Sequence, residues 1–133
     1  MQVTARPPAT AVKTILVVDD DHGVRRMLRA LLTAGQRRVV EACDGLDALV
    51  AVRRELPDLV LLDVHMPGLD GIEVCRRIKS DLATRRLPVL MVTAAARDED
   101  RARGVAAGAD AYLTKPFRPL ALLQLIDEQL AGG

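Results

Sequence analysis

The sequence predicts an α/β protein, a doubly wound sheet of five parallel strands with helices on both faces. Three observations predict it. Short runs rich in Val, Leu and Ile alternate five times with longer segments of helical period. The runs are apolar almost throughout, as strands buried on both faces should be. Four of them also end on a polar group at the carboxyl end. Asp19 and Asp20 follow Thr14-Ile15-Leu16-Val17-Val18, Asp63 follows Leu59-Val60-Leu61-Leu62, Thr93 closes Val89-Leu90-Met91-Val92, and Lys115 follows Tyr112-Leu113-Thr114. Ligands of open parallel sheets sit outside the carboxyl ends of the strands, so this rim is where a binding site is expected.

Strands are predicted at about 14–19, 38–42, 58–63, 88–93 and 110–114. The first helix begins near His22, with Val24, Met27, Leu28, Leu31 and Leu32 on its inner face and Arg25, Arg26 and Arg29 pointing elsewhere. The three arginines form either a solvated basic face or a docking patch for a partner. The second helix follows Asp44-Gly45, turns Leu46, Leu49, Val52 and Leu56 inward and stops at Pro57. The third follows Asp70-Gly71 and buries Ile72, Cys75 and Ile78. The fourth, from about Asp98 to Ala107, offers only Ala102, Val105 and Ala106, so it is expected to be loosely held, with Gly108 as its cap. The last opens with Pro119 and carries Leu122, Leu125, Ile126 and Leu130 toward the sheet.

At 133 residues the chain is expected to fold as a single domain over 13–131, after a flexible tail at 1–12 and with no output domain. Half of the residues are hydrophobic and 28% are charged, with 19 basic against 18 acidic, the balance of an ordinary soluble globule. A net charge of +1 gives no reason to expect nucleic acid or a membrane surface as partner. Cys43 and Cys75 lie in apolar patterns without metal-ligand spacing and are expected to be reduced core thiols, which favours a cytoplasmic protein.

Each polar group at the rim has a bland reading. Asp21 suits a helix cap, Asp63 a turn before Met66-Pro67-Gly68, Thr93 an ordinary strand, and His65 an exposed loop. Phe117 suits the core, and Tyr112 can bury its ring or turn its hydroxyl outward. Capping cannot employ Asp19, Asp20 and Asp21 together. Adjacent carboxylates repel, so keeping several at the end of a buried strand suggests a cation, and an all-oxygen site suits Mg2+. If the first and third strands are neighbours, Asp63 joins Asp19 and Asp20, and Lys115 supplies a countercharge and a donor for a phosphoryl oxygen. Pro116 after Lys115 is a place for a cis peptide bond.

Ile15-Leu16-Val17-Val18-Asp19-Asp20, Asp58-Leu59-Val60-Leu61-Leu62-Asp63, Met66-Pro67-Gly68-Leu69-Asp70-Gly71, Val92-Thr93-Ala94 and the segment from Gly108 to Phe117 together resemble the receiver domain of bacterial two-component response regulators. The resemblance covers residues 13–131. It implies a flavodoxin-like sheet of order 2-1-3-4-5. It further implies that Asp63 accepts a phosphoryl group from a phosphohistidine on a sensor histidine kinase or phosphotransfer protein. Asp20, Asp63 and the backbone carbonyl of His65 would ligate Mg2+, and Asp19 would bind it largely through water. Lys115 and Thr93 would hold phosphoryl oxygens, with small Ala94 leaving room. Thr93 and Tyr112 would then switch the surface of the fourth helix, fifth strand and fifth helix toward a downstream protein target, with a phosphorylation-dependent homodimer as one arrangement. On this reading the chain is a signalling switch and not an enzyme, catalysing only its own phosphorylation and dephosphorylation.

Two positions depart from the commonest pattern of that family: the third acid, Asp21, and His65, two residues after the phosphoacceptor, where the family tunes dephosphorylation. Two other readings remain open. A phosphatase of the haloacid dehalogenase type would use Asp19 as nucleophile in Asp19-Asp20-Asp21 and leave Asp63 without a task. A pseudo-receiver would serve protein contacts alone.

Overall fold

The computed structural model describes residues 12–93 and 98–132. Apart from Val12, the tail expected over 1–12 lies outside the described residues, as does Ala94. Ten elements alternate as predicted: β1 (Thr14–Val18), α1 (His22–Ala34), β2 (Arg38–Ala42), α2 (Gly45–Glu55), β3 (Leu59–Asp63), α3 (Gly71–Ser80), β4 (Val89–Thr93), α4 (Asp98–Ala107), β5 (Ala111–Thr114) and α5 (Pro119–Gly132). The strands form one parallel sheet of order β2-β1-β3-β4-β5.

The period-2 geometry of the strands divides the core. On one face Leu16, Val18, Val60, Leu62, Val89 and Met91 pack against α2 and α3, which contribute Ala48, Val52, Ile72, Cys75 and Ile78. On the other, Ile15, Val17, Leu59, Leu61 and Leu90 meet Leu28 and Leu32 of α1 and Leu122 and Ile126 of α5. Burial on both faces is what the unbroken apolar runs encode.

Three helices start on an Asx cap, the one at Asp21 as expected from the sequence. The Asp21 carboxylate accepts from Gly23 and Val24 N–H, Asp44 from Asp47 N–H, and Asp70 from Glu73 N–H. Gly108 ends α4 with φ +98, its N–H donating to Val105 O and that of Ala109 to Gly104 O, as predicted for the cap. Among the described residues no helix is long and apolar enough to cross a membrane.

Several inward-facing expectations are corrected. In α2, Leu46 and Leu56 are exposed, and Gly45, Ala48, Ala51 and Val52 are buried. The helix approaches its neighbours too closely for larger side chains, since a Cβ on Gly45 would lie 2.5 Å from Leu69 O. Leu56 is the left-handed cap beyond the last turn, which sends its side chain to solvent. Met27 of α1 is half exposed at the margin of the sheet, where Val24, Met27, Leu31, Pro116, Phe117 and Pro119 line an apolar groove. Phe117 is partly buried against the core, in keeping with its expected role. Cys43 is exposed, because the chain has already left β2 there, whereas Cys75 is buried and its thiol is pushed up to about 11 by desolvation.

The largest correction concerns α4. Ala102, Val105 and Ala106 all face solvent. Its buried stripe is Asp100, Gly104 and Ala107, spaced three and four apart. The helix is therefore held by a carboxylate and small residues and not by an apolar face.

Candidate functional site: an acidic rim facing a lysine

Asp19, Asp20 and Asp63 can each present one carboxylate oxygen such that all lie within 4.8 Å of one another. Two features of the sheet bring them together. β1 and β3 are adjacent, pairing Val18 with Leu62, so the residues that follow leave the sheet side by side. Asp19 N–H also donates to Ala42 O, which extends the ladder and holds Asp19 at the rim. Asp19 and Asp63 are buried, and Asp20 is exposed.

Lys115 enters from the other side. Its backbone N–H donates to Thr93 O, and its Nζ stands 3.0 Å from Asp19 Oδ2 and 3.9 Å from Asp63 Oδ1. The Lys115–Pro116 peptide bond is cis. One ammonium thus serves two buried carboxylates, leaving an excess of negative charge at the rim. Burial pushes the Asp63 carboxyl up to about 6, with Asp19 and Asp20 adding to the rise and Lys115 and the His65 backbone N–H opposing it. A group so perturbed among several acids is characteristic of functional sites.

The donor set is all oxygen and in excess of the local positive charge, which fits a hard divalent cation such as Mg2+. Asp21 is drawn away from it. Its side chain caps α1, and its N–H donates to Asp19 Oδ1 at 2.9 Å, which fixes the rotation of that carboxylate. Arg25 is not part of a solvated face, because its guanidinium donates to Asp19 O and to Glu41, which it shares with Arg29. The Arg29 guanidinium, ahead of the opposing effect of burial, holds the Glu41 carboxyl below its ordinary value, and Arg25 adds to it.

Thr93 is fully buried at the end of β4, and among the described residues its hydroxyl has no hydrogen-bond partner. The Tyr112 hydroxyl on neighbouring β5 is also buried and without a bond among the described residues. Burial raises the Tyr112 phenol above its ordinary value, Asp100 adds to this, and Arg101 opposes it. Of the two orientations open to Tyr112 from sequence, the inward one is seen. The Arg101 guanidinium lies 5.0 Å from the ring centroid on the outer side.

Three participants escaped the sequence. Gly71 opens α3 where a Cβ would stand 2.1 Å from Asp63 O, so only glycine lets that helix press against the backbone of the acidic rim. Gly104 leaves room for the Tyr112 ring, which a Cβ would meet at 3.0 Å. Asp100 is buried in the first turn of α4 and accepts from His65 Nε2 at 2.8 Å. A signal for the pair Asp100 and Gly104 existed in their spacing of four, but a charged residue and a glycine do not register as a helix's inner face.

A match to the family model of the response regulator receiver domain spans residues 15–127. The response regulator PleD of Caulobacter vibrioides is 50% identical over 103 residues, 77% of this chain and 23% of that protein. The response regulator receiver domain protein (CheY-like) from Methanospirillum hungatei JF-1 superimposes with a TM-score of 0.86 at 30% identity, covering 92% of this chain and 96% of the other. The chemotaxis protein CheY4 of Vibrio cholerae gives 0.83 at 31% identity, with 89% and 98% covered. The chain spans under half the length of the curated relatives it matches, 23% of PleD and 44% of the response regulator MprA of Mycobacterium leprae. Fold, acidic rim and family match agree: the chain belongs to the receiver domains of two-component response regulators, signalling switches that bind Mg2+ through acidic residues and act between histidine kinases and downstream effectors.

Proposed function

We propose that Asp63 is the phosphoacceptor of this receiver. One of its carboxylate oxygens attacks the phosphorus of a phosphohistidine on a kinase or phosphotransfer protein, the N–P bond breaks, the imidazole leaves, and an acyl phosphate remains. The observation that carries the reading is the convergence of Asp19, Asp20 and Asp63 within 4.8 Å, faced by Lys115. Such transfers need positioning and compensation of charge spread over the phosphoryl oxygens more than covalent help.

Asp20, Asp63 and the His65 carbonyl would hold Mg2+, with Asp19 acting largely through water. The ion would neutralise charge on the phosphoryl oxygens. Lys115 donates to one of these oxygens, giving up part of its pairing with Asp19. The unpartnered Thr93 hydroxyl supports a second donor role, because a buried hydroxyl without a bond gains one when an oxyanion arrives. Tyr112 then fills the space behind Thr93, and α4, β5 and α5 present the altered surface to a downstream protein.

Incubation with acetyl phosphate, with and without magnesium, followed by mass spectrometry tests this. One hydroxylamine-labile phosphoryl group, dependent on magnesium and absent from Asp63→Ala, is the expected result. An adduct that persists in Asp63→Ala and maps to Asp19 would replace this reading with the phosphatase one. Absence of any adduct, together with no binding of beryllium fluoride, would leave a domain that serves protein contacts alone.

A further inference from the structure

We infer that Asp100 is a positioning residue that fixes the His65 ring beside the phosphoryl site, so that the seating of α4 sets the lifetime of the phosphorylated state. The inference rests on Asp63 being the phosphoacceptor.

A carboxylate with 1% of its surface exposed is costly to keep in the first turn of a helix unless it is bonded. Asp100 has such a bond. His65 Nε2 lies 2.8 Å from its Oδ2, and Arg103 Nη1 stands 3.8 Å from Oδ1. With the carboxylate oxygen as acceptor, the Nε2 tautomer of the ring is the one that fits this bond. The bond joins residues 35 apart in sequence and crosses from the loop two places beyond Asp63 to α4.

Its weight comes from what α4 lacks. With Ala102, Val105 and Ala106 exposed, little apolar area holds this helix, and the buried stripe of Asp100, Gly104 and Ala107 leaves the bond between Asp100 and His65 as a short directional contact that ties it down. The same bond works in the other direction on His65. The ring is half exposed, with a side-chain exposure of 53%, and without Asp100 nothing among the described residues bonds its Nε2. Held by α4, the ring is anchored on the loop two residues beyond Asp63, where on this inference it narrows the approach of water to an acyl phosphate. Released, it swings into solvent and opens that approach. A movement of α4 therefore changes the hydrolysis of the group that caused it.

The test compares loss of phosphate from protein charged with acetyl phosphate, in Asp100→Ala, Asp100→Asn, His65→Ala and the double variant His65→Ala/Asp100→Ala, with folding checked by circular dichroism. Asp100→Ala is expected to lose its phosphate about fivefold faster, the factor carried by one such hydrogen bond. Asp100→Asn, which keeps an acceptor for Nε2, is expected to stay near the wild-type rate. In the His65→Ala background the removal of Asp100 is expected to change nothing, a result a merely structural role would not give. An Asp100→Ala rate equal to wild type, or an equal acceleration with and without His65, overturns the inference while leaving the phosphoacceptor reading intact. Failure of the wild-type protein both to take a phosphoryl group and to bind beryllium fluoride overturns both. In unphosphorylated protein, the 15N shifts of the His65 ring are expected to move in Asp100→Ala and hold in Asp100→Asn, and no movement in Asp100→Ala also overturns the tether.

Discussion

Replacing Asp63 with Asn should stabilise the metal-free protein at neutral pH, although it removes the proposed phosphoacceptor. The carboxyl is raised from 3.8 to about 6 by burial and by Asp19 and Asp20. Roughly two units at about 1.4 kcal/mol each give about 3 kcal/mol, which we reduce to about 2 kcal/mol because solvent reaches the mouth of the site. The sign follows from proton binding. Between pH 4 and 6 the folded state holds the Asp63 proton more tightly than the unfolded chain, so stability falls as pH rises through this window and stays low above it. Asparagine is never ionised and escapes the loss. Urea unfolding in EDTA at pH 7.5 and at pH 4 measures the difference. Asp63→Asn should exceed wild type by about 2 kcal/mol at the higher pH, and the gap should close at the lower one. Magnesium should restore the wild type toward the variant at pH 7.5, since it binds the ionised folded form alone. A variant no more stable than wild type at pH 7.5, or a gap of the same size at pH 4, would refute the electrostatic account of the rim.

Gly71→Ala should cost about 3 kcal/mol in urea unfolding, because its Cβ would fall 2.1 Å from Asp63 O and a backbone atom cannot rotate aside. Retained stability would mean that α3 can lift from the rim without loss. Lys115→Ala should lower stability by about 1–3 kcal/mol, since it leaves the buried Asp19 carboxylate without its partner at 3.0 Å. The same variant should form little or no acetyl phosphate adduct, and an undiminished yield would remove Lys115 from the proposed mechanism.

What could be foreseen from sequence was what depends on local order. Apolar runs of strand length, Asp residues placed to cap three helices and Pro or Gly at their limits marked the elements to within about a residue, because each of these signals acts on its own neighbours. The polar groups ending β1, β3 and β4, and the lysine just beyond β5, marked the rim for the same reason, since parallel strands must bring their carboxyl ends to one edge. The order of strands came from resemblance to a family, because hydrophobic period counts strands without ranking them. Which side a helix turned inward was decided only by the tertiary structure. The faces of α2 and α4 were misjudged because periodicity assigns the larger apolar residues inward, whereas α2 lies too close to Leu69 for anything but small residues at Gly45, and α4 packs through Asp100 against His65 and through Gly104 against Tyr112. The pairing of His65 with Asp100 spans 35 residues and depends on where two separate elements come to rest. No pattern along the chain encodes such a contact, because its energy exists only once the sheet has brought both partners to the same edge.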